Sequence, residues 1–500
     1  MSIPSKMNVL FLASEADPLI KVGGLGDVAG SLPQALRRIA PISSAGSPLL
    51  DIRLVIPYHP MISRSLYPAS LVAEYNIPGK YGLIPTKVYG IELDGLPVYM
   101  IDGPPIEHES GVYSANLETD AYKYVYFSIA SLELARRLDW KLDILHANDW
   151  HTAAAVYSLA LDRPIDPFFK YTASILTIHN LPYMGAMTGS ALDAFELAPA
   201  HNTSLPAWAV DMALPLGLLT ADAIVAVSPG YSKEILTEDF GSGLQTFLRT
   251  QSQKISGILN GLDTARWDPS VDHDLPANFS SDNLQNRHIN KSSLQKELGL
   301  EINPDLPLFA MVTRMDPQKG VDLAIDALRM LLQSASVDIV PFQAVFLGTG
   351  NPTLEQAAHH LEGDYPDLIR AKILYSEKLS RHIYAGADGL LMPSRYEPCG
   401  LSQMIAMRYG CIPIARSTGG LSNTILDSSD TDENTGFLFK PASPEALADA
   451  ILRAVNLFTR DPDRWQSMQI RGMRQDFSWD RSAIQYYEHY KRLHEQKTDH

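Results

Sequence analysis

Short apolar runs recur along this chain, and most of them end in a dense cluster of polar residues and glycines. "MNVLFLAS" (7–14), "DIRLVIP" (51–57), "DILHAND" (143–149), "ASILTIH" (173–179) and "DAIVAVS" (222–228) form a first series. "PLFAMVTR" (307–314), "FQAVFLG" (342–348), "AKILY" (371–375), "DGLLMP" (388–393) and "CIPIAR" (411–416) form a second. Runs of this length, bounded by polar residues, read as buried strands. Helix-like segments such as "AYKYVYFSIASLELARRL" (121–138) lie between several of them. Strands alternating with helices predict parallel α/β sheets. The segment 268–306, rich in Asp, Asn, Pro and Ser, separates the series poorly but lacks strong periodicity. A chain of 500 residues is too long for one core. Two doubly wound domains are therefore expected.

Composition narrows the function. A formal net charge of -16 disfavours nucleic acid and anionic membranes as partners, while leaving room for a small anion held by a few local cations. Only Cys399 and Cys411 are present, which excludes a disulfide framework and suggests a reducing compartment. No apolar run reaches the length of a membrane span. The start enters a strand-like run directly, with no signal or transit peptide visible. A cytoplasmic protein, or a mature organellar chain, is the expectation.

Open α/β sheets bind ligands beyond the carboxyl ends of their strands. "HANDWH" (146–151), "HNLPYMG" (179–185), "TRMDPQKG" (313–320), "GTGN" (348–351), "PSRYEPCG" (393–400) and "RSTGG" (416–420) all fall there. Any one of them, "GTGN" above all, reads equally as a turn capping the next helix. As a set they place Arg314, Lys319, Arg395, Glu397 and Arg416 at strand ends of an acidic chain. A phosphorylated ligand on the second domain follows, since helix N-termini there favour anions. "KVGGLGDV" (21–28) crowds three glycines into four positions. Gly24, Gly26 and Ala29 satisfy G-x-G-x-x-A, but nine residues separate Ser14 from Gly24. A dinucleotide fingerprint turns directly out of its strand, so hydride transfer is not favoured. The loop is expected to open a helix over 26–39 and to admit phosphate or sugar closely.

"KVGGLGDV", "HANDWH", "TIHNLPYMG", "GILNGLD", "QKGVDL" and "PSRYEPCGL…STGGL" occur in this order, from about Met7 to the terminal "DFSWDRSAIQYYEHYKRL". Together they resemble the bacterial glycogen synthases and plant-type starch synthases, retaining glucosyltransferases. The resemblance implies a GT-B fold, two Rossmann-like domains (1–255 and 256–474) facing a deep cleft, with a C-terminal helix over 475–500 crossing back onto the first. It implies transfer of glucose from ADP-glucose to the non-reducing 4-hydroxyl of an α-1,4-glucan or maltooligosaccharide. ADP-glucose is then a substrate and ADP a product, and no cofactor or metal is called for. By the same resemblance Arg314 and Lys319 stabilise the leaving diphosphate. Glu397 faces the donor glucose, and His151 lies near its reacting face through imidazole or backbone carbonyl. Lys21, Asp27 and Asn260 are polar contacts of the donor or acceptor. Gly23, Gly24, Thr418, Gly419 and Gly420 line the donor site, the glycines through their N–H groups, and Tyr375 stacks on the adenine.

Some features depart from the wider retaining pattern. Ile405 stands where many GT-B retaining enzymes carry a second glutamate, as is common in glycogen and starch synthases, and it leaves the ribose contact unassigned. The stretch 40–50 reads as a long surface loop, and 161–173 as an elaboration near the acceptor groove. Two other readings stand beside the polymer synthase: a relative using a small acceptor such as glucose 1-phosphate, and a catalytically silent glucan-binding protein. Oligomeric state is not legible.

Overall fold

A computed structural model describes residues 6–39, 49–107, 111–201, 203–334, 341–427 and 433–498. Most of the stretch read as a long loop, 40–48, lies outside the described residues. The chain forms two compact units, Met1–Gly261 with Trp479–His500, and Leu262–Ser478. The divisions fall a few residues beyond the expected boundaries at 255 and 474. Among the described residues no helix is long and apolar enough to cross a membrane.

The first unit holds a nine-stranded sheet among its described residues, in the order β3-β4-β5-β2-β1-β6-β7-β8-β9. The strands are β1 Met7–Leu12, β2 Leu50–Pro57, β3 Ser70–Gly79, β4 Gly82–Leu93, β5 Leu96–Asp102, β6 Ile144–Asn148, β7 Ala173–Ile178, β8 Ala223–Ala226 and β9 Ile255–Gly257. From β5 to β9 every pairing is parallel. β3–β4 and β4–β5 are antiparallel, so this sheet is mixed rather than purely parallel. All residues of β6 and β7 are buried, as expected of parallel strands covered on both faces.

The second unit holds six strands among its described residues, in the order β12-β11-β10-β13-β14-β15. They are β10 Leu308–Val312, β11 Gln343–Leu347, β12 Ile369–Lys372, β13 Gly389–Met392, β14 Ile412–Arg416 and β15 Phe437–Phe439, all paired in parallel. Counted within the unit, this is the order 3-2-1-4-5-6 of a doubly wound sheet. The direction of winding reverses between β10 and β13. In the first unit it reverses between β1 and β6.

The helix Trp479–Thr498 belongs to the first unit. Trp479, Ala483, Tyr486, Tyr490 and Leu493 recur every three or four residues and join a core with Val9, Phe11, Val28 and Leu32. Where the chain leaves the unit, a Cβ on Gly261 would lie 2.6 Å from Trp479 Cα, so only glycine fits that approach. His146, fully buried on β6, ties the helix to the sheet. Its Nδ1 lies 2.6 Å from the Tyr490 hydroxyl and its Nε2 lies 2.8 Å from Thr177 Oγ1. Burial pushes its pKa down to about 3. The ring is neutral, with one nitrogen donating and the other accepting. Tyr490→Phe leaves one buried ring nitrogen without a partner. The expected loss is about 1–3 kcal/mol, read as a lower urea midpoint with no change of fold by circular dichroism.

Candidate active site

In the first unit the segments after β1, β6 and β9 carry the candidate residues. Lys21 Nζ is 2.6 Å from Asp27 Oδ1, so these two form an ion pair. Gly24 is the first residue of the helix Gly24–Ile39. Beneath this loop lies Glu15, 1% exposed, which the sequence reading passed over. Its carboxylate accepts from the N–H groups of Val22 and Gly23 and, at 3.0 Å, from the Tyr113 hydroxyl. The expectation that the Gly23 N–H faces a ligand is corrected here, because that group is taken internally. Burial raises the Glu15 pKa in spite of these donors.

His151 opens the helix Trp150–Asp162 and is buried against the rings of Tyr113, Tyr124 and Trp150, with centroids 5.0, 4.6 and 4.3 Å away. Burial first, and the fully buried Lys123 second, hold its pKa well below the usual imidazole value, so the ring is neutral. Its Nδ1 has no hydrogen-bond partner among the described residues, and its carbonyl accepts from Ser128 Oγ at 3.4 Å. Asn260 is 6% exposed, and its Oδ1 has no partner among the described residues. Asp149, in the same "HANDWH" motif, was given no role from sequence. It adopts φ 55 and accepts from the His179 N–H at 2.7 Å and the Asn180 N–H at 3.3 Å. Burial raises its pKa to about 7, with nearby Glu15 adding to the rise. His179 bonds Asn148 Oδ1 at 2.9 Å and is held neutral by burial, with a pKa of about 3.

In the second unit Lys319 and Glu397 come from opposite sides of the switch point and meet. Lys319 Nζ lies 2.9 and 2.6 Å from the two Glu397 oxygens, and Ser394 Oγ donates to Oε2 at 3.0 Å. Glu397 is 5% exposed, which excludes a surface helix cap. Both residues line a small cavity of about 50 Å³ with Thr313, Ser394 and Ser402. Arg314 is exposed and makes no ion pair among the described residues. The other two strand-end arginines are structural. Arg395 grips Asp322 through two bonds of 2.8 and 2.7 Å, and Arg416 donates to the carbonyls of Arg395 and Lys440.

Thr418 is buried, and the turn it begins is tucked beneath the Glu397 loop. A Cβ on Gly419 (φ +45°) would lie 2.0 Å from the Glu397 carbonyl, and one on Gly420 2.0 Å from that of Cys399. The Gly420 N–H donates to the Glu397 carbonyl at 3.0 Å, so this amide too is engaged internally rather than offered to an anion. Tyr375 follows β12 and is 83% exposed, which rules out a core tyrosine. "GTGN" is a packing turn: Gly350 abuts the Met315 carbonyl, and Asn351 caps the helix Pro352–Asp364. Ile405, Cys399 and Cys411 are buried apolar or thiol side chains, and burial pushes the Cys411 thiol up to about 12. The segment 161–173 leads into the amino end of β7, at the edge of the sheet opposite these loops.

Comparison with known proteins places both units. Residues 8–250 match the starch synthase catalytic domain family, and residues 295–466 match glycosyl transferases group 1. The glycogen synthase of Thioalkalivibrio sulfidiphilus is 38% identical, over 97% of this chain and 100% of that one. That of Syntrophotalea carbinolica is 36% identical, over 97% and 99%. The catalytic domain of starch synthase IV from Arabidopsis thaliana, solved with ADP and acarbose, superposes with a TM-score of 0.85 at 32% identity, covering 98% of this chain and 100% of that one. A sucrose-phosphate synthase from Thermosynechococcus elongatus shares the fold at 18% identity, with a TM-score of 0.60 over 97% of this chain and 99% of that one.

The Asp149 carboxyl gives a test of the buried chemistry. Its folded pKa, about 7, lies above its unfolded value near 3.8. The folded state therefore binds the extra proton, and stability falls as pH rises through that window and levels off above it. Asn at this position keeps an acceptor for His179 and Asn180 without the charge. Asp149→Asn is expected to gain melting temperature relative to the wild type progressively between pH 4 and 7, with no further gain above. Parallel melting curves across that range would contradict the assignment.

Proposed function

Because the chain belongs to the glycogen and starch synthase family of retaining glucosyltransferases, we propose that it transfers glucose from ADP-glucose to the non-reducing 4-hydroxyl of an α-1,4-glucan, keeping the α configuration. The observation that carries this reading is the Lys319–Glu397 pair at the switch point of the second sheet. Cleavage of the sugar–phosphate bond gathers negative charge on the leaving diphosphate and positive character on the anomeric carbon. Lys319 and Arg314, which has no ion-pair partner among the described residues, answer the first, and no cofactor is called for. Glu397 answers the second, its carboxylate positioned by Lys319 and Ser394 before any substrate arrives.

In the first unit Lys21 and Asp27 contact the donor side, and neutral His151 presents its carbonyl or its unpartnered Nδ1 to the sugar. Asn260 offers an Oδ1 with no partner among the described residues, Gly24 opens the first-unit loop to the ligand, and in the second unit the turn Thr418–Gly420 shapes the donor site. The exposed ring of Tyr375 suits a platform for adenine. The Arabidopsis enzyme solved with ADP and acarbose supports a nucleotide and a glucan as the ligands.

Transfer assays with glycogen, maltooligosaccharides and glucose 1-phosphate decide the acceptor. Polymer and oligosaccharide are expected to be extended and glucose 1-phosphate left unused. Conversion of glucose 1-phosphate alone would favour the small-acceptor reading, and absence of all transfer the silent one. ADP-glucose is expected to outperform UDP-glucose, with the preference eroded in Tyr375→Ala, since base–aromatic stacking is worth about 1–3 kcal/mol.

The ion pair adds a sharper expectation. Lys319→Ala is expected to lower kcat about 10²–10³-fold, as for loss of one preorganised donor. It also leaves Glu397 without its cation, so the two side chains act as one unit. Lys319→Ala with Glu397→Gln is expected to lose far less than the product of the single losses. Multiplicative losses in a kcat double-mutant cycle would separate the two roles.

A further inference from the structure

Three glycines in four positions need something to approach the backbone, and the structure shows what does. Glu15 is 1% exposed and has no cation partner among the described residues. A buried carboxylate without a cation is costly unless hydrogen bonds surround it. Here the donors are the peptide N–H groups of Val22 and Gly23 and the Tyr113 hydroxyl, which also lies 3.1 Å from Ser14 Oγ. The glycines close round the carboxylate. A Cβ on Gly23 would lie 3.4 Å from Glu15 Oε1, and one on Gly26 3.3 Å from Oε2 and 3.0 Å from Lys21 Cγ. Consecutive N–H groups converging on one anion are the arrangement that loops of this kind offer to phosphate. In this protein the anion is the chain's own.

We propose that Glu15 is a positioning residue: its carboxylate is the internal anion on which the loop 21–26 is wound, and it sets Lys21 for the donor diphosphate. The inference rests on the reading that Lys21 serves the donor. A leucine of similar size would fill the same volume, but would leave the Val22 and Gly23 amides unpaired and the loop without its template. The Lys21–Asp27 pair spans the loop from outside, with Asp27 on the first turn of the helix, so the loop is held from two sides.

The test uses the full-length protein, with ADP as the binding probe and ADP-glucose plus glycogen for turnover. Glu15→Leu is expected to weaken ADP binding at least tenfold and to lower kcat/KM about 10²-fold, the usual scale for a misplaced contact. Glu15→Gln keeps the reach and an acceptor oxygen, and is expected to stay within about threefold of wild type, since the amide can accept from the loop and donate to Tyr113. Glu15→Asp keeps the charge but withdraws the carboxylate by one methylene, and is expected to resemble Glu15→Leu. It carries the same test should the leucine variant fail to fold. In a Lys21→Ala background, Glu15→Leu or Glu15→Asp is expected to add no further loss of ADP affinity. Hydrogen exchange at the Val22 and Gly23 amides is expected to speed up in Glu15→Leu and to stay slow in Lys21→Ala.

If Lys21→Ala alone leaves donor kinetics unchanged, the donor reading of Lys21 falls, and the positioning role with it. If Lys21→Ala is impaired and the Glu15 substitution adds its full loss on top, only the positioning role falls. Near wild-type kinetics in Glu15→Asp with Lys21→Ala impaired has that same result.

Discussion

Each sheet reverses its direction of winding once, and the chemistry follows from that reversal. Between β1 and β6 in the first unit, and between β10 and β13 in the second, the loops leaving neighbouring strands run to opposite faces. A crevice opens there at the carboxyl ends. The β1 side supplies Glu15, Lys21 and Asp27, and the β6 side supplies Asp149 and His151. The β10 side supplies Arg314 and Lys319, and the β13 side supplies Glu397. No local preference of these residues brings Lys319 within 2.6 Å of Glu397, 78 positions away. Parallel pairing of β10 with β13 does so, and the rest of the second unit's sheet holds that pairing in place.

Buried charge marks two different jobs in this protein. Lys291 and Asp388, 2.8 Å apart and both nearly inaccessible, join the helix Arg287–Leu298 to the start of β13 and hold the second unit together. Breaking such a pair is costly, yet an apolar replacement of both partners is often neutral, so the pair is no proof of function. Glu397 and Glu15 differ. Each sits at a switch point, and each is surrounded by donors drawn from the loops that carry the other candidate residues. A carboxylate so placed fixes the geometry of its neighbours at a known distance, which a dispersive apolar contact does not.

Strand rhythm was the most legible part of the sequence, because parallel strands buried on both faces are continuous apolar runs. Nine of the ten runs fall on strands, whereas the run 371–375 only overlaps the end of β12, which lies at Ile369–Lys372 and alternates in burial. The helix Arg287–Leu298 did not, and its burial explains why. Its inner face carries Arg287, Asn290, Lys291 and Gln295 beside Leu294 and Leu298, so polar residues occupy the positions where hydropathy reveals a period. β3, β4 and β5, joined by antiparallel pairings, were also missed, although Asp94–Gly95, both with positive φ, is a strong hairpin signal between β4 and β5. At the site, motif order pointed to Lys319, Glu397 and His151. Position at a strand end grouped Arg314 with Arg395 and Arg416, and only the family resemblance singled out Arg314; the tertiary contacts show that the other two are already spent on Asp322 and on backbone carbonyls. Glu15 and Tyr113 escaped notice because a lone polar residue beyond a strand looks like any other turn.

The glycine-rich loop shows how far a motif can be read before structure is needed. Crowded glycines at a helix start imply close approach, and that inference holds. The partner that approaches is not given by the glycines. An internal carboxylate occupies the converging amides of Val22 and Gly23, so these N–H groups have no capacity left for phosphate. Attraction of the loop for an anionic ligand is then left to the Lys21 side chain, which is paired with Asp27, and to the first amides of the helix Gly24–Ile39. The same logic applies to Gly420, whose amide is bonded to the Glu397 carbonyl. In both units the glycines work by letting one loop lie against another. The charges that meet a ligand are carried by side chains those contacts hold in place.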